Sequence, residues 1–199
     1  MRNLLLLVSL LLTGHLANAQ KWQNLFDGKT LAGWHTLPGG HWEAKNGMIV
    51  GLSEKTDTRH GLLITDKSYK NFILSVQYKA NKGNSGLYFR AEEVGGWAGV
   101  SGFQAEIDPE KDAGGLYETN GRAWVVQPTP EQVKTWYKPG QWNTMTVTAK
   151  GRDVVVTVNG QKTARLDNDS GRTQGRIALQ LHGGMDMDVL FKDLKIKQL

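Results

Sequence analysis

Three short stretches of this sequence place polar, proton-handling side chains at every second position. In Gly102 to Asp108, the residues Gln104, Glu106 and Asp108 alternate with Phe103, Ala105 and Ile107. In Ser85 to Ala91, Tyr88 and Arg90 oppose Leu87 and Phe89. In Arg176 to His182, the set Arg176, Ala178, Gln180 and His182 opposes Ile177, Leu179 and Leu181. A period of two is that of a β-strand, whose successive side chains point to opposite faces of the sheet. A solvated strand face tends to carry Thr and Lys. These faces carry Gln, Glu, His, Arg and Tyr, which hydrogen-bond sugars or move protons. An ordinary wet face of an antiparallel sandwich shows the same alternation, so both readings stand on the pattern alone.

The elements that must hold these faces are strands. Glycine recurs through the chain between short, β-branched and aromatic segments, and helical periodicity is scarce. The strongest strands run over 72–80, 85–91, 102–108, 142–150, 153–158, 176–182 and 189–196. Thr129 to Trp136, with Pro130 near its start, is the one expected short helix. Asn159-Gly160 marks a tight hairpin into Lys162 to Leu166. Many short strands without a βαβ rhythm predict an all-β sandwich of two antiparallel sheets.

Residues 1–19 combine Arg2, an apolar run from Leu4 to Leu12 and the small-residue site Ala17-Asn18-Ala19, the pattern of a signal peptide. The run is about half the ~20 apolar residues of a membrane span. The expectation is a secreted, periplasmic protein in which residues 20–199 form one domain, with no stable membrane insertion after signal cleavage. The sequence contains no cysteine, which excludes thiol chemistry and disulfide staples. The net charge of +5 is spread over mixed basic and acidic residues, so no nucleic-acid partner is expected.

Particular motifs resemble a known family. They begin with Leu25-Phe26-Asp27-Gly28-Lys29-Thr30-Leu31-Ala32-Gly33-Trp34 and continue through Trp42-Glu43-Ala44 and Gly61-Leu62-Leu63. The most specific is Gly83-Asn84-Ser85-Gly86-Leu87-Tyr88-Phe89-Arg90. Gly115-Leu116-Tyr117-Glu118, Gly121-Arg122, Trp142-Asn143-Thr144 and Leu181-His182-Gly183-Gly184 follow, and Phe191-Lys192-Asp193-Leu194-Lys195-Ile196 closes the series. Together they resemble the 3-keto-disaccharide hydrolase family over essentially the whole mature chain. The resemblance implies a concanavalin A-like jelly roll and a sugar-derived small-molecule ligand. Where this chain has Gln104-x-Glu106, other members carry Glu-x-Gln.

The family name implies a glycoside oxidised to a ketone at carbon 3. That ketone acidifies the hydrogen on carbon 2, so a base can open an elimination route to glycosidic cleavage, followed by hydration. Such a route needs a base, a stabiliser for the oxyanion and an acid for the leaving oxygen. On this resemblance Glu106 is expected to be the base, Arg90 to stabilise the oxyanion and His182 to relay a proton. Asn84, Tyr88, Gln104, Asp108, Tyr117, Glu118, Arg122 and Gln180 are the expected sugar contacts, with Trp97 and Trp124 as stacking surfaces. A structural ion pair between Glu106 and Arg90 is the competing reading of those two residues.

No cofactor is expected. The loop 108–114 offers Asp108, Glu110 and Asp112 at alternating positions, but it matches an oxygen-rich calcium loop poorly, so a divalent cation there is only the alternative. His35, His41, His60 and His182 show no metal-ligand spacing. A non-catalytic carbohydrate-binding module with the same polar face stands as the second functional reading, because fold does not choose between them.

Overall fold

The computed structural model describes residues 21–199, so the signal-peptide expectation falls outside the described residues. Alternating apolar residues between turn glycines produce fifteen strands and one helix there. They are β1 (Gln23–Asn24), β2 (Trp34–Leu37), β3 (His41–Lys45), β4 (Met48–Ser53), β5 (Gly61–Thr65), β6 (Phe72–Lys82), β7 (Ser85–Glu93) and β8 (Val100–Ile107). Then come β9 (Leu116–Thr119), β10 (Ala123–Val126), α1 (Pro130–Trp136), β11 (Asn143–Lys150), β12 (Asp153–Val158), β13 (Gln161–Leu166), β14 (Arg176–Leu181) and β15 (Met187–Gln198). The first sheet runs β13-β12-β11-β6-β15-β4-β3, with β1 on β15. The second runs β10-β9-β8-β7-β14-β5-β2. All pairings are antiparallel, which makes the expected two-sheet sandwich.

Local chemistry sets the connections. Asn159 and Gly160 both take positive φ, 51° and 83°, the geometry that a two-residue hairpin turn requires. Thr129 caps α1 by accepting from the Gln132 amide nitrogen while the Gln132 side chain accepts from the Thr129 backbone, with Pro130 in the first turn. Between the sheets lies one apolar layer. Leu74, Val76, Val147, Val156 and Phe191 enter it from the first sheet, and Leu87, Phe103, Ile177 and Leu179 from the second. Phe89 and Phe103 stack there with centroids 5.5 Å apart.

The alternation expected along β7 breaks after Phe89. The β7–β8 register steps from Phe89 opposite Phe103 to Glu92 opposite Ser101, which inserts an extra residue on β7. Arg90 occupies this bulge at a φ of 51°. Two glycines make the room: a Cβ on Gly102 would lie 2.8 Å from the Ala91 Cα, and one on Gly175 would lie 2.3 Å from the Arg90 carbonyl carbon. Arg90 is therefore turned away from the face of Tyr88. Its buried guanidinium donates to the carbonyls of Gly151 at 2.7 Å, Arg172 at 3.1 Å and Lys70 at 3.3 Å. The expected oxyanion stabiliser is instead a clamp that ties the second sheet to the β11–β12 turn of the first, and it makes no ion pair with Glu106.

Candidate active site

Register assembles the polar face of the second sheet. Tyr88 lies opposite Gln104, Gln104 opposite Tyr117, and Tyr117 opposite Trp124, which gives one row across β7, β8, β9 and β10. Gln180 on β14 lies opposite Leu62 on β5. Leu62, Ile64, Ala91, Val100 and Ala178 form a small apolar cluster around Tyr88 on this outer face. That cover buries the polar row: relative exposure is 1% for Tyr88, 2% for Gln180 and 5% for both Gln104 and Glu106.

Buried polar groups need partners, and here they supply each other. The Gln104 amide nitrogen donates to Glu106 Oε2 at 3.0 Å and to Gln180 Oε1 at 3.1 Å. The Gln180 amide donates to the Tyr88 hydroxyl at 3.4 Å, and that hydroxyl shares a hydrogen bond with Thr119 Oγ1 at 2.9 Å. Gly86 is required beneath this chain, because a Cβ there would come within 2.3 Å of Gln104 Nε2. This explains the glycine inside the Asn84-Ser85-Gly86 motif. Ser85 adds an anchor by donating from Oγ to the Gln180 carbonyl at 2.7 Å.

A cleft of about 350 Å³ opens over the row. Glu106 and Asn84 line it beside Tyr117 and Trp124, whose rings meet edge to face at 5.3 Å. Burial pushes the Glu106 carboxyl up from 4.5 to about 8, against a hydrogen bond from Asn84 and with help from the charges of Asp108 and Asp112. Glu106 is therefore mostly protonated at neutral pH. Burial also pushes the Tyr88 phenol well above its ordinary value.

His60, Trp97 and His182 line the same cleft. Trp97 packs on His60 with centroids 3.9 Å apart, and the two imidazoles meet edge to face at 4.5 Å. Burial, with the neighbouring His182, lowers the His60 value from 6.5 to about 4. His60, Ala98, Thr119 and Asn120 line the cleft without having been expected there. His60 lies in strand phase with Leu62 and Ile64, but Gly61–Thr65 is buried on both faces, so no polar alternation marked that stretch.

Other expected contacts lie elsewhere. Glu118 stands opposite Phe103, in the other phase from Tyr117, and its carboxylate is taken by Arg122. Arg122 also forms two hydrogen bonds of 2.8 Å with Asp169, which pin the β9–β10 hairpin to the loop before β14. Neither Glu118 nor Arg122 lines the cleft. Asp108 lines an adjoining cleft of about 530 Å³ with Lys55, Glu110 and Lys111, and this second cleft shares Asn84 and His182 with the first. The loop carboxylates are drawn apart: Asp108 accepts from the Glu110 backbone at 2.7 Å and Asp112 from the Gln127 amide at 3.2 Å. Among the described residues, no group of three His, Asp or Glu side chains is placed to hold a metal ion.

The sequence profile of the 3-keto-alpha-glucoside-1,2-lyase-like domain matches residues 21–197. The chain belongs to this family. A curated relative from Bacteroides thetaiotaomicron named 3-keto-disaccharide hydrolase is 36% identical over 87 residues, a match that covers 39% of this chain and 30% of that protein. Among solved structures, a presumed glycosyl hydrolase from Parabacteroides distasonis is similar with a TM-score of 0.67 and 24% identity, over 89% of this chain and 94% of that one. The carbohydrate-binding module CBM66 from Bacillus subtilis is similar with a TM-score of 0.64 and 16% identity, over 83% of this chain and 96% of that one. At those identities the likeness is one of fold, the jelly-roll sandwich. The outer face of the second sheet carries the buried ionisable groups Tyr88 and Glu106. Among the described residues, no helix is long and apolar enough to cross a membrane.

Proposed function

We propose that the chain is a secreted enzyme that cleaves the glycosidic bond of a 3-keto-glycoside by elimination followed by hydration. The observation that carries this reading is Glu106, a carboxyl buried at the floor of a sugar-sized cleft, where burial pushes its value up to about 8. Sugar binding alone needs aromatic walls and amides, whereas a buried carboxyl with a raised pKa is suited to proton donation. That environment favours Glu106 as the acid in the first step, not the base that the sequence suggested. The base is then His182, which lines the same cleft.

The steps balance. His182 takes the proton from carbon 2, and the electron pair forms an enolate with the ketone at carbon 3. The enolate collapses to a carbon 1–carbon 2 double bond, and the glycosidic oxygen leaves with the proton of Glu106. Glu106, now a carboxylate, draws a proton from water as that water adds to carbon 1, and His182 returns its proton to carbon 2. The net result is hydrolysis, with both groups restored. Trp97, Trp124 and Tyr117 offer faces to the sugar ring. The adjoining cleft, joined through Asn84 and His182, gives the leaving sugar a place, which suits a disaccharide-sized substrate.

The test is release of a chromogenic leaving group from a 3-keto-glycoside, with the unoxidised glycoside as control. Release from the ketone alone is expected. Binding without release from either compound would favour a carbohydrate-binding module.

A further inference from the structure

The register that sets Gln180 opposite Leu62 and Leu181 opposite Gly61 brings His60 beside His182 one step further along. Gly183 then touches both rings. Its backbone N–H donates to His60 Nδ1 at 2.9 Å, so that nitrogen bears a lone pair and the proton of the neutral ring sits on Nε2. Its carbonyl has no proton to give, so the 2.8 Å contact with His182 Nδ1 requires that nitrogen to be the donor, leaving the lone pair on Nε2. One residue, through its N–H and its carbonyl, thus imposes opposite tautomers on two adjacent histidines. Glycine is demanded at 183, because a Cβ there would lie 2.6 Å from the Arg59 carbonyl carbon and 2.7 Å from the Thr58 oxygen. That close approach is what carries the Gly183 N–H to His60.

Both histidines line the cleft, and among the described residues neither Nε2 has a hydrogen-bond partner. Trp97 holds His60 in place by packing on its ring, and the Trp97 carbonyl accepts the His60 backbone N–H at 3.3 Å. With Arg90 committed to three carbonyls, the donor that an enolate oxygen needs must come from elsewhere in the cleft.

We propose that His60 is a further catalytic residue, a neutral imidazole whose Nε2–H hydrogen-bonds the developing oxyanion while Gly183 keeps the neighbouring His182 Nε2 free as the base. The catalytic half of this inference rests on the 3-keto-glycoside reading; the tautomer half does not. Burial that keeps His60 neutral through the physiological range is consistent with a donor that never competes with His182 for charge.

Nitrogen–proton correlation NMR on the isotope-labelled wild-type protein at neutral pH reads the tautomers directly, with His60→Gln assigning the signals. The expected result is an Nε2–H ring for His60 and an Nδ1–H ring for His182. The same tautomer on both, or a doubly protonated His60, overturns the inference whatever the protein's activity. In turnover of a chromogenic 3-keto-glycoside, His60→Phe keeps a ring under Trp97 and is expected to lose on the order of 10²-fold in kcat, and His60→Gln, whose amide restores a donor, clearly less. Wild-type kcat in a folded His60→Phe variant overturns the catalytic role. No turnover by the wild type ends that role together with the functional reading, while the NMR result still decides the histidine pair.

Discussion

The two sheets answer the same sequence pattern differently. On the first sheet the outward positions are Ser75, Gln77 and Lys79 on β6, Thr144, Thr146 and Thr148 on β11, and Lys192, Lys195 and Lys197 on β15. All are at least partly exposed, and each alternates with a buried apolar neighbour. On the second sheet β5 is buried throughout and β7, β8 and β14 along nearly all their length, so the polar residues there are covered on both faces. A half-exposed Thr or Lys satisfies itself with water. A buried Gln or Glu must find a protein partner or be neutralised, because stranding it costs about 1–3 kcal/mol or more. The chain Glu106–Gln104–Gln180–Tyr88–Thr119 meets that requirement while leaving Glu106 protonated. Alternation marks a strand; burial of the polar half marks a site.

The sharpest test of this contrast is Glu106→Gln, which keeps the shape and removes the transferable proton. Turnover of a 3-keto-glycoside is expected to fall by about 10²–10⁴-fold with the fold intact. Unchanged turnover would make the second face as inert as the first. The same substitution should change stability with pH. The folded value of Glu106, about 8, lies above the ordinary 4.5, so the folded state holds this proton more tightly than the unfolded chain. The resulting stability is complete below pH 4.5 and is lost as pH rises through 8. Relative to Glu106→Gln, the wild type should weaken over that window by on the order of 4 kcal/mol, as read by denaturant unfolding at pH 5 and pH 9. Parallel curves would show that the carboxyl titrates as an exposed group.

Arg90→Met separates positions within one strand. It removes a cation buried among three carbonyls and should cost on the order of 3 kcal/mol in unfolding free energy. The rate per folded molecule should stay at the wild-type level. A folded variant with a large loss of kcat would return Arg90 to the reaction.

Much of this contrast was legible in the sequence, and the failures have specific causes. The seven strongest strands, the Asn159-Gly160 hairpin and α1 follow from alternation, turn chemistry and capping, all of which act over a few residues. Asn84, Tyr88, Gln104, Glu106, Tyr117, Trp124, Trp97, Gln180 and His182 all line the cleft. Arg90 was misplaced because one bulged residue reverses strand phase, and the cause lies in Gly102 and Gly175, remote in sequence from β7's own pattern. Glu118 lies off the cleft because it sits one step from Tyr117 and on the other face, and Arg122, in the turn that follows, is drawn to Glu118 and Asp169. His60 was missed because the strand that follows it is buried on both sides and shows no alternation to extend.

The smallest expected effect is the control on the first sheet. Thr146 lies opposite Thr157 and Ser75 on the outward face, with no buried polar network behind it. Thr146→Val exchanges a hydroxyl for a methyl on a β-branched frame that suits a strand equally well. Unfolding free energy should move by no more than about 0.5 kcal/mol, and turnover should not move at all. A Gln104→Met variant, matched in size on the second sheet, strips a donor from Gln180 Oε1 and another from Glu106, so its cost should exceed that of Thr146→Val several-fold. Equal costs at the two positions would mean that the hydrogen-bonded row carries no more of the fold than an exposed threonine, and the difference between the sheets would then be one of composition alone.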